Sequence, residues 1–341
     1  MRRDLEPAES GSSPYAWSDG GALVKRALLV GIDKYDEFRA LAGCVNDVHA
    51  VNELLTRHDD GSPNFSCQVL ADPTAGVSRD QLRAGVDRLF APGADIALLY
   101  VAGHGIQRNN DLVLATTDGT AQSPGMTMTE VMGAIADPNV LREVVIILDC
   151  CFSGAAGGVP HFAADVAAVR PGVSILTASR ADQTAAETTG QRGLFSTMFC
   201  GALAGGAADV LGKVSISGLF AYLSECFGPW DQRPTLKANI DRVHDLRRCV
   251  PSVPPHDLRR LPALFPTADY ELPLDPSYEP DAPPAHHEHE TDFALLQRAR
   301  SAKLVEPVGT AHLYFAAMES RNCRLTPLGK HYRMLAEQHR I

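Results

Sequence analysis

The chain has 341 residues, with 45% hydrophobic residues, 21% charged residues and a formal net charge of −10 at pH 7. This composition is typical of a globular protein with one large domain and one small domain, and the acidic balance gives no general reason to expect nucleic-acid binding. No apolar segment approaches the length of a membrane span, and acidic residues follow Met1-Arg2-Arg3, so we expect a cytoplasmic protein with no signal peptide and no membrane contact.

Apolar strand-like segments alternate with amphipathic helix-like segments over residues 25–248. This alternation predicts an α/β domain built on a mostly parallel sheet with helices on both faces. Residues 1–24 are polar, small and glycine-rich, which predicts a disordered tail. Predicted strands cover residues 26–32, 68–71, 95–102, 112–116, 144–149 and 173–177, and predicted helices cover residues 44–57, 128–136, 194–204 and 216–227.

Two local patterns refine this arrangement. Ser78 precedes an amphipathic segment and Gln81 follows three residues later, which predicts a helix that begins with a capping box. The segment from Ala155 to Pro171 contains two prolines and the pair Gly157-Gly158, a composition typical of a mobile loop.

A proline-rich segment follows the α/β domain. Of the 23 prolines in the chain, 10 lie between Pro251 and Pro284, and such a density is incompatible with an interior helix or a central strand. We therefore predict an extended linker over residues 249–290. The cluster His286-His-Glu-His-Glu290 could bind a metal, but its surroundings favour a solvated end of that linker.

The last part of the chain, residues 291–341, has a different pattern. A helix is predicted over Thr291–Lys303, a strand over Leu313–Ala317, a turn over Ser320–Arg324 and a final helix with Pro327 in its first turn. This order predicts a small winged-helix-like interaction module. It carries eight Lys or Arg residues against four Asp or Glu residues, a balance that permits DNA binding but is weak support for it. A regulatory protein partner is therefore preferred to DNA.

Two of the predicted strands end in residues that carry chemistry. Asp95–Ala102 leads into Gly103-His104-Gly105, and the strand that begins at Val144 leads into Asp149-Cys150-Cys151. The carboxyl ends of parallel strands lie at one edge of the sheet, where ligands bind in open α/β folds. An imidazole beside a thiol can take its proton and make it a nucleophile. The alternative for His104 is a packed histidine at a strand end.

These motifs resemble those of the caspase–metacaspase superfamily. Tyr100–Gly105 is similar to its histidine motif, and Asp149–Gly154 is similar to its Asp-x-Cys-x-Ser-Gly nucleophile motif. Cys151 follows His104 by 47 positions, close to the caspase separation of about 50 residues. The resemblance covers residues 25–240 and includes Leu41–Val48, Gly193–Ser196 and Gln232–Leu236. It implies a caspase-like sheet flanked by helices and the activity of a cysteine endopeptidase.

The resemblance also implies the catalytic roles. Cys151 occupies the nucleophile position of the motif, whereas Cys150, one residue earlier, is expected to pack in the protein interior. His104 would activate the thiol or protonate the leaving amine. The backbone N–H groups of Gly105 and Cys151 would form the oxyanion hole, since backbone donors stabilise developing negative charge without moving.

A second set of residues matches metacaspase positions that line the substrate-binding pocket. Asp47 and Asp149 are the two carboxylates of this set, and they imply cleavage after Arg or Lys, because a buried acidic group favours a cationic partner. Asp47 could alternatively cap the start of its helix. Many metacaspases have serine where this chain has Ala102, so Ala102 removes one hydrogen bond from the pocket.

We expect no cofactor and no metal. The 8 cysteines contain no C-x-x-C pair, which argues against zinc and against a disulfide framework. After the histidine, only Asp111 and Asp118 are acidic between residues 107 and 120, too few for a calcium site. The leading hypothesis is a protease that acts in bacterial defence, stress or cell-death signalling. The alternatives are a different thiol hydrolase, or a pseudo-protease or DNA-binding adaptor acting through the C-terminal module.

Overall fold

The structure, a computed structural model, describes residues 23–109, 111–135, 141–153, 170–178, 192–227, 234–240, 242–280 and 286–341. Nearly all of the tail expected over residues 1–24, and most of the loop expected between Ala155 and Pro171, lie outside these ranges. The described residues fall into a sheet unit, residues 23–249, and a second unit, residues 250–341. Neither unit contains a described helix that is long and apolar enough to cross a membrane.

The sheet unit is organised around one mixed, mostly parallel sheet. The strands of the unit are β1 (Lys25–Gly31), β2 (Ser66–Leu70), β3 (Ile96–Arg108), β4 (Asp111–Ala115), β5 (Gly125–Thr127), β6 (Glu143–Ser153), β7 (Val173–Thr177), β8 (Lys213–Val214), β9 (Thr235–Asn239) and β10 (Arg247–Arg248). The order across the main sheet is β2-β1-β3-β6-β7-β9, with β9 antiparallel to β7, and β8 and β10 form a separate short pair. The hairpin formed by the end of β3 and β4 extends the sheet beyond the end of β1.

Helices cover both faces of this sheet, as the alternation of the sequence predicts. They are α1 (Cys44–Thr56), α2 (Arg79–Leu89), α3 (Met128–Gly133), α4 (Leu194–Gly201), a π-helical turn (Ala202–Gly206) and α5 (Ile216–Cys226). One face packs against α2 and α3, and the other face packs against α1, α4 and α5. The predicted capping box of Ser78 and Gln81 begins α2. The predicted α/β architecture, a mostly parallel sheet with helices on both faces, is thus confirmed.

The proline-rich segment is not an extended linker, contrary to the prediction for residues 249–290. It forms α6 (Pro255–Leu258), α7 (Leu261–Leu264), β11 (Glu271–Pro273) and a 3₁₀ turn (Pro276–Tyr278). Each of these helical turns has a proline in its first turn, where no backbone N–H is needed for the helix. The apolar residues between the prolines, including Val253, Leu258 and Phe265, are fully buried in the core of the second unit.

The remainder of the second unit contains α8 (His287–Ser301), β12 (Val305–Pro307), α9 (Leu313–Met318), β13 (Asn322–Leu325) and α10 (Pro327–Glu337). The cluster at His286–Glu290 is therefore the start of α8 rather than the end of a linker, and the His289 ring stacks on Tyr278 with centroids 4.3 Å apart.

Two predicted elements of the C-terminal part are also corrected. The expected strand at residues 313–317 is helix α9, since Leu313, Ala316 and Ala317 are buried at helical spacing. The expected turn at residues 320–324 lies largely in β13, which pairs with β11 and β12. Because β11 comes from the proline-rich segment, residues 291–341 share their sheet and core with residues 250–280. The winged-helix-like fold of residues 291–341 stays a prediction.

Candidate active site

The register of β3 and β6 brings together the two motifs singled out in the sequence. The strands are parallel neighbours, with His104 opposite Cys151 and Ala102 opposite Asp149. Adjacent strands are about 4.8 Å apart, so the backbones of His104 and Cys151 are direct neighbours at the carboxyl edge of the sheet. The sequence predicted both strands and their common edge.

Cys150 lies in a different environment from that edge. It is fully buried in the core that packs against α2 and α3, and its Sγ is 3.7 Å from the carbonyl oxygen of Val101. A thiol held in apolar surroundings behaves as a small hydrophobic group rather than as a nucleophile. This packing agrees with the structural role expected for Cys150.

The loop after β1 fixes His104 at two points. The His104 backbone N–H donates to the phenol oxygen of Tyr35 at 2.9 Å, and His104 Nε2 lies 2.7 Å from the carbonyl oxygen of Arg39. A carbonyl oxygen can only accept a hydrogen bond, so this contact requires the proton on Nε2 and leaves the lone pair on Nδ1. In that tautomer Nδ1 can accept a proton from a thiol.

The sequence interpretation missed Tyr35 and Arg39. The available signal was their position, because the segment Asp33-Lys-Tyr35 follows β1 at the same edge of the sheet as His104. The Asp33 carboxylate also accepts the backbone N–H of Cys44 at 2.9 Å, and Asp33 thereby joins this loop to the start of α1. Gly43 precedes α1 with φ of 117°, a left-handed conformation that favours glycine.

Asp47 is a buried carboxylate on α1, with 4% exposure. Its Oδ1 lies 2.5 Å from the Ser196 hydroxyl and accepts the N–H of Gly193 at 3.1 Å. Both donors belong to the start of α4. The contacts combine two segments that carry the family resemblance, Leu41–Val48 and Gly193–Ser196, although the sequence assigned no role to Ser196.

Asp149 is buried near Asp47. It is 6% exposed, and its Oδ2 accepts a hydrogen bond from the Tyr100 hydroxyl at 3.1 Å. Burial, followed by the charges of Asp149 and Asp47, raises the pKa of Tyr100 well above its ordinary value. Burial, followed by the charges of Asp33, Asp149 and Asp47, likewise raises the pKa of the Cys44 thiol. The two predicted pocket carboxylates therefore act on the same two neighbours, Tyr100 and Cys44.

The other predicted site residues lie on β3. Ala102 is 1% exposed in the core beside Tyr100, so its methyl group adds apolar surface next to Asp149. Gly105 is buried, and it pairs in register with Phe152 of β6 and Leu114 of β4. The oxyanion role of the Gly105 and Cys151 N–H groups stays a prediction.

The acidic residues after His104 have structural roles. Asp111 accepts the backbone N–H groups of Leu112 and Thr129, and Asp118 accepts the N–H of Arg79. Across the part of the chain that the structure describes, no three His, Cys, Asp or Glu side chains come together in a group suited to a metal ion.

Comparison with known proteins gives a family match over most of the sheet unit. The family model for the caspase domain matches residues 24–240. One similar solved structure, described as "structure of pro-sf-caspase-1", aligns over 72% of this chain and 98% of that chain, with 11% sequence identity and a TM-score of 0.49. No curated protein sequence matches the chain.

Proposed function

The chain belongs to the caspase-domain family, and we propose that it is a cysteine endopeptidase with Cys151 as nucleophile and His104 as proton carrier. The family match confirms the resemblance inferred from the motifs. The observation that carries the catalytic assignment is the pairing of His104 with Cys151 across β3 and β6. The contact of His104 Nε2 with the Arg39 carbonyl supports it, because it leaves Nδ1 able to accept a proton.

The proposed reaction proceeds in two halves. His104 Nδ1 takes the Cys151 thiol proton, and the thiolate attacks the carbonyl carbon of the scissile peptide bond. The carbonyl oxygen gains the electron pair and is stabilised by the N–H groups of Gly105 and Cys151. The protonated His104 then gives its proton to the leaving amine, the C–N bond breaks, and a thioester remains on Cys151.

Water completes the cycle. His104 removes a proton from the water as its oxygen attacks the thioester carbon, and the C–S bond then breaks. The acid product leaves, and the proton returns to the Cys151 sulfur. The two halves together consume one peptide bond and one water molecule and restore the free thiol.

We further propose that cleavage follows Arg or Lys. Asp47 and Asp149 are buried at the same edge of the sheet as the catalytic pair, and the described donors to them are hydroxyl and backbone N–H groups. Two buried carboxylates at this edge favour a cationic side chain, because a buried charge is stabilised by a partner of opposite sign. Arg should be preferred to Lys, because its planar guanidinium can engage a carboxylate through two hydrogen bonds.

The test of the catalytic assignment is hydrolysis of fluorogenic peptides with Arg, Lys or Asp before the cut bond. Cys151→Ala should abolish turnover, and Cys150→Ala should retain most of it, because Cys150 is packed in the core. Circular dichroism would establish that both variants fold. An active Cys151→Ala together with an inactive Cys150→Ala would overturn the assignment.

The proposed cellular role is that of a regulated protease in bacterial defence, stress or cell-death signalling, with the second unit recruiting a partner protein. Helix α9 presents Tyr314, Phe315 and Met318 to solvent, and each is at least 40% exposed. Apolar surface of this kind fits a protein partner better than a nucleic acid. Tight binding of the full chain to duplex DNA, weakening steeply with salt, would favour the adaptor hypothesis instead.

A further inference from the structure

His104 lies at a break in one edge of β3. Pairing with β1 ends at Gly31 and Ala102, and pairing with β4 begins at Gly105 and Leu114. On the other edge, pairing with β6 runs without interruption through this region. Among the described strands, none lies opposite His104 on the β1 side, and the backbone groups of His104 there need another partner.

Tyr35 fills this break. Its phenol oxygen accepts the His104 N–H at 2.9 Å, and its ring lies 4.7 Å from the imidazole, centroid to centroid, at 47°. The phenol also lies close over Gly103, where an added Cβ would come within 2.7 Å of the phenol oxygen. The glycine before the histidine is thus required by the position of the Tyr35 hydroxyl.

The loop that carries Tyr35 is anchored on both sides of it. The Thr117 hydroxyl donates to the carbonyl oxygen of Lys34 at 2.9 Å, and the Asp36 N–H donates to the carbonyl oxygen of Thr117 at 2.9 Å. The Tyr35 side chain is 7% exposed, and its ring contacts Phe38 edge to face. These contacts give the Tyr35 phenol a fixed position. A side chain can orient its neighbour only if its own position is fixed.

We propose that Tyr35 is a positioning residue for His104. It supplies the hydrogen-bond acceptor that the sheet lacks at this point, and it supports the face of the imidazole. Together with the Arg39 carbonyl, it holds the ring so that Nε2 keeps its proton and Nδ1 is the basic nitrogen. This inference rests on the proposed function, since it assigns a purpose to the orientation of the proposed proton carrier.

The first test is the steady-state kinetics of Tyr35→Phe in the full-length protein. This variant keeps the ring and removes only the phenol oxygen. We expect kcat for an Arg peptide to fall about tenfold, the effect of losing one well-placed hydrogen bond, while KM stays within about twofold. Tyr332→Phe, at a buried tyrosine of the second unit, should leave both constants unchanged. Titration with an alkylating inhibitor would correct each rate for the fraction of active protein.

The second test does not depend on turnover. The ¹⁵N resonances of the His104 ring distinguish the two neutral tautomers, and they can be recorded in a Cys151→Ala background. The Nε2–H form should dominate when Tyr35 is present, and a mixture of the two tautomers should appear when Tyr35→Phe is added to that background.

The outcomes separate the two proposals. Unchanged kcat and unchanged ring resonances in Tyr35→Phe would overturn the positioning role and leave the protease assignment standing. Loss of turnover in Tyr35→Phe with unchanged ring resonances would also overturn it. Full peptidase activity in Cys151→Ala would overturn the proposed function, whereas the ring resonances would still test Tyr35.

Discussion

Two pairs of buried carboxylates, one pair in each unit of the protein, have different described partners. In the second unit, the Asp257 carboxylate accepts a hydrogen bond from the Arg298 guanidinium at 2.6 Å, and the Asp292 carboxylate pairs with the Arg260 guanidinium. In the sheet unit, the described hydroxyl donors to Asp47 and Asp149 are Ser196 and Tyr100.

The two pairs of acids also occupy different places in the fold. The ion pairs in the second unit join the proline-rich segment to α8. Asp257 and Arg260 lie on the proline-rich segment, and their partners Arg298 and Asp292 lie on α8. Asp47 and Asp149 of the sheet unit lie at the edge that carries the proposed nucleophile. Substituting Asp by Asn in each unit therefore separates activity from stability.

The largest expected effect is on activity, at Asp149. Asp149→Asn keeps the shape of the side chain and removes its charge. We expect kcat/KM for an Arg peptide to fall roughly 30-fold to several thousand-fold, from about 2–5 kcal/mol for a desolvated charge pair. The rate at which iodoacetamide alkylates Cys151 should stay near wild type. A variant that cleaves Arg peptides at the wild-type rate would remove Asp149 from the pocket.

The matching change in the second unit should act on stability. Asp257→Asn leaves Arg298 without its anionic partner, and we expect the free energy of unfolding to fall by about 1.5–3 kcal/mol, measured by urea denaturation. Below the unfolding transition, kcat/KM for a small peptide should not change. Asp269→Asn is the control, because Asp269 pairs with Lys330 on the exposed surface and such pairs contribute little. A change in peptide specificity caused by Asp257→Asn would contradict a purely structural role for Asp257.

Ser196→Ala should have a smaller effect on the pocket. It removes one donor from Asp47 while retaining the acid, so the carboxylate is less firmly oriented. We expect kcat/KM for Arg peptides to fall about fivefold, the value of one hydrogen bond. The neighbouring Thr197→Ala is the control, since the Thr197 hydroxyl is exposed and contacts only the Gly193 carbonyl among the described groups. Equal effects of the two variants would argue against a role for Ser196.

Three thiols packed against the cores of the two units should show no reaction at neutral pH. Burial raises the pKa of Cys67 and Cys200 to about 11 and that of Cys323 to about 12. Each remains a protonated thiol until the pH approaches these values, and the thiolate is the reactive form. The experiment uses a Cys226→Ser background, because Cys226 is exposed. After brief iodoacetamide treatment at pH about 7.5, well below these pKa values, mass spectrometry should find Cys67, Cys200 and Cys323 unmodified. Rapid modification of Cys200 or Cys323 would contradict this account of the cores.

The sequence predicted the sheet unit better than the second unit for a physical reason. Strands such as β3 and β6 are buried on both faces and appear as long apolar segments, so their type and their common edge follow directly. In the second unit, short apolar segments lie between prolines. Five apolar residues at 313–317 fit either a strand or a helix, and only packing against β12 and β13 decides between them.

The candidate site shows the same limit at the level of single residues. Cys151 and His104 could be predicted because they occupy motifs at strand ends. Tyr35 and Arg39 contact His104 through a phenol and a loop carbonyl, and Ser196 contacts Asp47 through a hydroxyl. The position of Tyr35 and Arg39 after β1 places them at the edge that carries His104, but no spacing in the sequence indicates which atoms meet in the folded chain.

We propose that Cys151 and His104 form a cysteine peptidase site beside an acidic pocket. Labelling of the full-length protein by two matched acyloxymethyl ketone peptides, one ending in Arg and one in Asp, followed by mass spectrometry, tests the nucleophile and the pocket together. We predict that the Arg probe labels Cys151 alone, that the Asp probe does not label it, and that His104→Ala abolishes the labelling. Labelling of a different cysteine by the Arg probe, or equal labelling of Cys151 by both probes, would contradict the account.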